Sequence, residues 1–310
     1  MADISAAMVK DLREKTGAGM MDCKKALSET AGDFEKAEDW LRKKGISKAA
    51  SKGARIAAEG LVAVSLSADG RTGVVVEVNS ETDFVARNPD FKKLVQDVAD
   101  HVAKVAPADV PALLETTMGG KKVKDVVTEA VAKIGENIGV RRFARFVADG
   151  PGVIGAYVHG DSKLGVLVEL GASTDAAAQN PEVLALAKEL ALQVAGAFSQ
   201  YLTREQIPAD VLEREKEIFR EELRLAKKPE AIWDKILTGK IEKYCEQICL
   251  VDQLWIKDDK KKMKVVIAET GKKVGAELTV RRFARIKVGE GIEKKKEDLA
   301  AEVAKTLGKN

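Results

Sequence analysis

Val140-Arg141-Arg142-Phe143-Ala144-Arg145 is written a second time, unchanged, as Val280-Arg281-Arg282-Phe283-Ala284-Arg285, 140 residues further on. Upstream, Gly60, Gly73, Asp83, Asn88 and Pro89 return as Gly152, Gly165, Asp175, Asn180 and Pro181, each 92 residues later. Two such series of identities mean one folding unit used twice. The two spacings differ by 48 residues, so the second unit carries an insertion of that length before its last strand.

The first unit reads as two β-branched runs, 61–66 and 74–78, joined by Asp69-Gly70, a hairpin signal. Asn88-Pro89 then offers a helix cap followed by proline in the first turn. The helix behind it carries Phe91, Leu94, Val95, Val98 and Val102 on one face. Val123, Val126, Val127, Val131 and Ile134 predict another helix, and 140–147 a closing strand. The repeat also settles an ambiguity. Residues 265–268 look like a strand by composition, but their counterparts 125–128 lie in that second helical pattern, so both are read as helix. The units are therefore placed at 60–148 and 152–288, with antiparallel sheets, in an α+β fold.

Outside the repeat, Ile4, Met8 and Leu12 form one helical stripe. A Thr16-Gly17-Ala18-Gly19 loop follows, then Met20, Cys23, Ala26 and Leu27 at helical spacing, stopped by Gly32. Asp33 caps a third helix bearing Phe34, Ala37, Trp40 and Leu41, ended by Gly45. Residues 1–48 are read as a three-helix domain and 48–58 as a linker. The insertion, about 203–255, has Leu212, Phe219 and Ala226 seven apart, and likewise Val211, Ile218 and Leu225. A break at Pro229 precedes Trp233, Leu237, Ile241, Tyr244 and Ile248. That pattern predicts an antiparallel coiled hairpin. Leu299, Val303 and Leu307 place a helix in a C-terminal module, 289–310.

Composition narrows the function. With 310 residues, 45% hydrophobic and 33% charged, the chain can build sizeable cores. Fifty-two basic residues against 49 acidic is too even to predict nucleic-acid binding. Three cysteines, Cys23, Cys245 and Cys249, do not make a disulfide framework; Cys245 and Cys249 read as buried packing. The N-terminus, with Asp3, Asp11 and Glu14, reads as neither signal nor transit peptide, and no run suits a membrane span, so the cytoplasm is expected.

Catalytic motifs are sparse. Gly119-Gly120-Lys121-Lys122 lacks the spacing and the Ser/Thr of a phosphate loop. His101 and His159, the only histidines, are too far apart in sequence to suggest a triad. The stretch that stands out is Ser80-Glu81-Thr82-Asp83-Phe84-Val85-Ala86-Arg87, between strand and capped helix. The second unit is its control. Asp83 persists as Asp175, which turn geometry can explain. Phe84, Val85 and Arg87 become Ala176, Ala177 and Gln179, so the loop closes without an aromatic. Phe84 either enters a partner or packs on its own sheet. The arginine stretches tempt toward RNA binding, but their presence in both units favours a structural role.

Two long stretches, 12–27 (Leu12-Arg13-Glu14-Lys15-Thr16-Gly17-Ala18-Gly19-Met20-Met21-Asp22-Cys23 and onward) and 77–88 (Glu77-Val78-Asn79-Ser80-Glu81-Thr82-Asp83-Phe84 and onward), resemble the bacterial elongation factor Ts family. Val288-Gly289-Glu290-Gly291-Ile292-Glu293 extends the resemblance; Asp252-Gln253-Leu254-Trp255 departs from it, where the family has proline and phenylalanine. The resemblance implies guanine-nucleotide exchange on elongation factor Tu by a factor with no catalytic chemistry and no cofactor of its own. It implies a ubiquitin-associated-like N-terminal domain that grips the partner. It implies that Thr82, Asp83, Phe84 and Val85 disturb the partner's Mg²⁺ and phosphate sites. Arg13, Met20, Met21 and His159 are further implied contacts. Direct nucleic-acid binding is not expected, and the hairpin is a candidate homodimer contact. The other readings are an RNA-binding translation accessory protein and a scaffold joined through the hairpin.

Overall fold

The computed structural model describes residues 4–293, so Leu299, Val303 and Leu307 of the expected C-terminal helix lie outside the described residues. The chain opens with α1 (Ala6–Thr16), α2 (Met20–Glu29) and α3 (Phe34–Lys52). Ser5 accepts from the Met8 N–H to start α1, and Asp33 accepts from the Lys36 N–H to start α3. Leu12, Cys23, Ala26, Leu27 and Ala37 make the buried centre of this unit.

One boundary differs from the sequence reading. Gly45 does not end α3, which runs on to Lys52, so the expected linker begins as helix. A Cβ at Gly45 would come within 3.1 Å of the Ala132 side chain. The glycine serves close approach to a neighbouring helix, and that packing carries α3 through it. Ala49, further along α3, packs against the core of the first repeat.

The first repeat runs β1 (Glu59–Leu66), β2 (Thr72–Ser80), α4 (Asp83–Arg87), α5 (Pro89–Val105), α6 (Val110–Glu115), the small hairpin β3 (Thr117–Met118) and β4 (Lys121–Lys122), α7 (Val123–Ile134) and β5 (Gly139–Val147). The second runs β6 (Gly152–His159), β7 (Leu164–Ala172), α8 (Asp175–Ala178), α9 (Pro181–Gly196), α10 (Ala209–Leu225), α11 (Trp233–Ile248), β8 (Leu254–Trp255), β9 (Asp258–Lys262), α12 (Met263–Val274) and β10 (Leu278–Lys287). The antiparallel sheets have matching orders, β1-β2-β5 and β10-β7-β6. Residues 265–268 lie in α12, as the repeat predicts. Asn88 and Asn180 cap α5 and α9 through the N–H groups of Asp90 and Glu182, each at 2.9 Å.

Each central strand is buried along nearly its whole length. On one face, β2 turns Val74, Val76 and Val78 to α5. On the other, Val62, Val75 and Phe146 meet Ile154, Leu167 and Ile286 of the second sheet. The contact is reciprocal: the Val62 N–H donates to the Ser162 carbonyl and the Ile154 N–H to the Gly70 carbonyl, both at 2.7 Å. Gly73 and Gly165 recur because the sheets approach there. A Cβ on Gly73 would meet Ile154 at 2.5 Å, and one on Gly165 would meet Val75 at 2.6 Å.

The repeated arginines sit at this contact. The ladder slips between Glu77 and Val78, leaving Arg141 as the extra residue opposite β2, and the same slip recurs at Arg281. Such a bulge lets two consecutive side chains reach one point. Arg141 and Arg142 both pair with the buried Glu77, at 3.0 and 2.6 Å, and Arg281 and Arg282 with the buried Glu169, at 3.1 and 2.7 Å. Each glutamate also accepts a backbone N–H from the end of the other repeat. Gly289 donates to Glu77 at 2.7 Å, and Asp149 donates to Glu169 at 2.9 Å. Burial alone would push the Glu77 carboxyl up, but the Gly289 N–H, Arg142, Asn79 and Arg141 outweigh it and hold it below the usual carboxylate range. The arginine stretches are structural.

The insertion forms two helices turned at Pro229. Leu223 and Leu237 are buried, and Lys240 lies 4.7 Å from the centre of the Phe219 ring. Of the apolar positions spaced by seven, Ile218, Leu225 and Ala226 face solvent. At the base, Cys245 and Cys249 are buried with Ile207 and Ile248, and burial pushes the Cys249 thiol up to about 11.

Candidate functional site

The strand β2 ends at Ser80, whose hydroxyl donates to the Thr82 carbonyl at 3.0 Å and turns the chain. The Thr82 hydroxyl donates to Glu136 Oε1 at 2.6 Å, and its N–H donates to Oε2 at 2.9 Å. Glu81 accepts from the Asn137 N–H at 2.6 Å. The loop is thus held from beneath by the two residues that follow the Gly135 cap of α7.

Asp83 opens α4 and forms an exposed pair with Arg87 at 3.3 Å. Phe84 points away from the fold and is 76% exposed. Its counterpart Ala176 is exposed as well, so this position faces outward in both repeats. Packing of Phe84 on its own sheet is excluded. Val85 behaves differently from the residues around it. It is only 7% exposed and joins the core of the first repeat with Ala86, so it anchors the loop instead of facing outward.

Asp83 and Arg87 stand on the rim of an open cleft of about 760 Å³ between the repeats. It is also lined by Leu61 and Ala63 of β1 and, from the second repeat, by Val158 of β6 and by Asp161 and Lys163 of the β6–β7 turn. His159 is the last residue of β6. It is exposed, its ring stacks on Tyr157, and its Nδ1 lies 3.0 Å from the Tyr157 hydroxyl. Asp83 lines this cleft, whereas Phe84 and His159 are not among its lining residues.

Arg13, Met20 and Met21 lie on the N-terminal unit. Arg13 is exposed in the last turn of α1, and Met20 and Met21 open α2 at 56% and 74% exposure. The two methionines leave adjacent thioethers exposed to water. The end of α3 links this unit to the loop. Lys52 donates to the Gly135 carbonyl, Asn137 Nδ2 donates to the Arg55 carbonyl at 2.7 Å, and Arg55 pairs with Glu81 at 3.4 Å. The sequence reading missed Glu136 and Asn137. Their signal was present: across the repeat they become Ala276 and Glu277.

The molecule is thus a twice-used α+β unit with a helical unit in front, a helical arm behind and an exposed aromatic loop in one copy. A family model described as "Elongation factor TS" matches residues 81–290, and one described as "Elongation factor Ts, mitochondrial, N-terminal" matches residues 1–52. The chain is 50% identical over 309 residues to the elongation factor Ts of Symbiobacterium thermophilum, covering 99% of both chains. It is 46% identical over 308 residues to that of Trichlorobacter lovleyi, covering 98% of this chain and 99% of the relative. To that of Bdellovibrio bacteriovorus it is 48% identical over 303 residues, 97% of each. The chain belongs to the elongation factor Ts family of translation elongation factors. Among the described residues, no helix is long and apolar enough to cross a membrane.

Proposed function

We propose that this protein is a guanine-nucleotide exchange factor for elongation factor Tu. It binds the GDP-bound GTPase and promotes GDP release and GTP loading in the cytoplasm during protein biosynthesis. The observation that carries the reading is Phe84. It is exposed beside Asp83 in one repeat, while the other repeat closes the same loop with alanine. An exposed phenylalanine contributes little to its own fold. Seated in a partner it would bury on the order of 200 Å² of surface.

In this reading Asp83 and Phe84 wedge into the GTPase and disturb its Mg²⁺ and phosphate sites, with Thr82 and Val85 holding the wedge in place. Residues 1–48 act as a ubiquitin-associated-like domain that grips the GTPase through Arg13, Met20 and Met21, and His159 adds a contact across the cleft. The Mg²⁺ belongs to the partner, and the factor carries out no bond chemistry and needs no cofactor. Its action is linkage: by whatever factor it weakens nucleotide binding, nucleotide weakens its own binding. Entering GTP then expels it. The hairpin α10–α11 is a coiled coil available for a second contact, with the partner or with a second copy. RNA is not a required ligand, since Arg141, Arg142, Arg281 and Arg282 are engaged by Glu77 and Glu169. The deciding experiment is release of fluorescent GDP from elongation factor Tu with and without this chain. An unchanged release rate at saturating factor removes the reading.

A further inference from the structure

Thr82 and Thr174 hold the same place in the two repeats, just before a short helix, and use their hydroxyls differently. Thr174 Oγ1 accepts from the Ala177 N–H at 3.2 Å and caps α8. Thr82 leaves α4 without a side-chain cap, its hydroxyl and its N–H both turned to the carboxylate of Glu136. The residue standing in place of Glu136 in the second repeat is Ala276. The threonine is common to both copies and the carboxylate is not, so the carboxylate decides what the threonine does. Capping is the ordinary use of a threonine at a helix start. Capping uses the hydroxyl as an acceptor and Glu136 uses it as a donor, so the carboxylate acts by direction: a strong, charge-assisted bond turns Oγ1 toward Glu136 and away from the first turn of α4.

Glu136 is itself well placed to impose a direction. It follows the left-handed Gly135 that ends α7, and that glycine's carbonyl is held by Lys52 of α3. Two bonds from one carboxylate to one residue fix its orientation as well as its position. The neighbouring Asn137 N–H holds Glu81, so the two residues entering the α4 turn are both pinned from below.

We propose that Glu136 is the positioning residue of this loop: by holding Thr82 it sets the direction in which Asp83 and Phe84 leave the first sheet. The proposal rests on the reading that Phe84 enters the partner, and adds that a residue which need not touch the partner determines how well it enters.

The test uses the full chain and elongation factor Tu loaded with fluorescent GDP. Release is followed with the wild type, Glu136→Ala, Glu136→Gln, Phe84→Ala and the Glu136→Ala/Phe84→Ala double variant. Glu136→Ala should still unfold cooperatively, with a lowered midpoint for the two lost bonds, since the second repeat closes the same turn with Ala276. Stimulated release should fall about tenfold, the scale of losing hydrogen bonds to a charged group. Glu136→Gln, which keeps one acceptor, should recover part of it. On the Phe84→Ala background, Glu136→Ala should cost much less than it does alone, because the larger part of its effect runs through Phe84 and only the Asp83 part remains. A Glu136→Ala chain with wild-type release overturns the proposal. So does a loss that appears in full on top of Phe84→Ala. Should Glu136→Ala fold poorly, Thr82→Val answers the same question from the other side, and wild-type release in that variant also overturns it. A wild-type chain that never accelerates release removes the parent reading and the proposal together. A Phe84-dependent wild type with an inert Glu136→Ala removes the proposal alone.

Discussion

Replacing Phe84 by alanine separates a wedge from a core residue, because the two roles predict opposite outcomes on two measurements. The side chain is 76% exposed, so the fold covers only about a quarter of it. A quarter of roughly 200 Å² at about 25 cal/mol per Å² is about 1 kcal/mol, an upper figure because alanine keeps some of that contact. Alanine is also the better helix former, which returns a few tenths of a kcal/mol in α4. The net cost should therefore stay below ~1 kcal/mol, against ~3–5 kcal/mol for a buried phenylalanine. On the partner side, removing a central aromatic anchor costs ~2 kcal/mol or more, which is about thirtyfold. Chemical denaturation gives the first quantity and the rate of stimulated GDP release the second. A variant destabilised by ~3 kcal/mol would return Phe84 to the core. A stable variant with wild-type exchange would leave the exposed ring without a role.

Deleting residues 1–48 should weaken partner binding while the rest stays folded, since the repeats bury their own cores. Loss of the sheet signal in circular dichroism would show that α3 is needed to complete α7. Replacing α10 and α11 by a short turn between Pro208 and Cys249 should preserve cooperative unfolding and some exchange, because the first repeat closes without an insertion; a non-cooperative melt would contradict this. Glu77 should behave as an acid-labile clamp. Its folded-state carboxyl lies below its ordinary value of 4.5, so its stabilisation is complete above that value and is lost as pH falls below it. Glu77→Ala, which leaves Arg141 and Arg142 unpaired at the sheet contact, should cost ~3–5 kcal/mol at neutral pH and flatten that acid dependence, as read by urea denaturation across pH. Retained acid dependence would place the acid-sensitive group elsewhere.

The duplication made most of this architecture legible. It placed the strands, the capped helices and the insertion, and it read 265–268 as helix against composition. What escaped were features that depend on a neighbour. Gly45 looks like a helix stop until α7 is seen against it, when it becomes a point where a side chain would crowd Ala132. The bulge at Arg141 cannot be read from alternation, because alternation is the rule a bulge breaks. The resemblance counts Val85 among the residues that act on the partner, yet α4 turns it inward beside Ala86. Glu136 lies 54 residues from Thr82 in the chain and nothing local announces the bond.

A duplicated unit separates what folding requires from what it does not. Gly73, Glu77, Asn88 and the paired arginines recur because each answers a demand both copies share: sheet approach, a neutralised buried charge, a helix start. A residue found in one copy only is free of that demand. Phe84 with Glu136, against Ala176 with Ala276, is such a pair, and its two members are joined through Thr82. If they had diverged independently, nothing would require the retained carboxylate to hold the very loop that retains the aromatic. If Glu136 positions this loop as proposed, their coincidence in the first repeat follows from one shared demand: an exposed ring that contributes little to stability, and a carboxylate bonded to the threonine two residues before it.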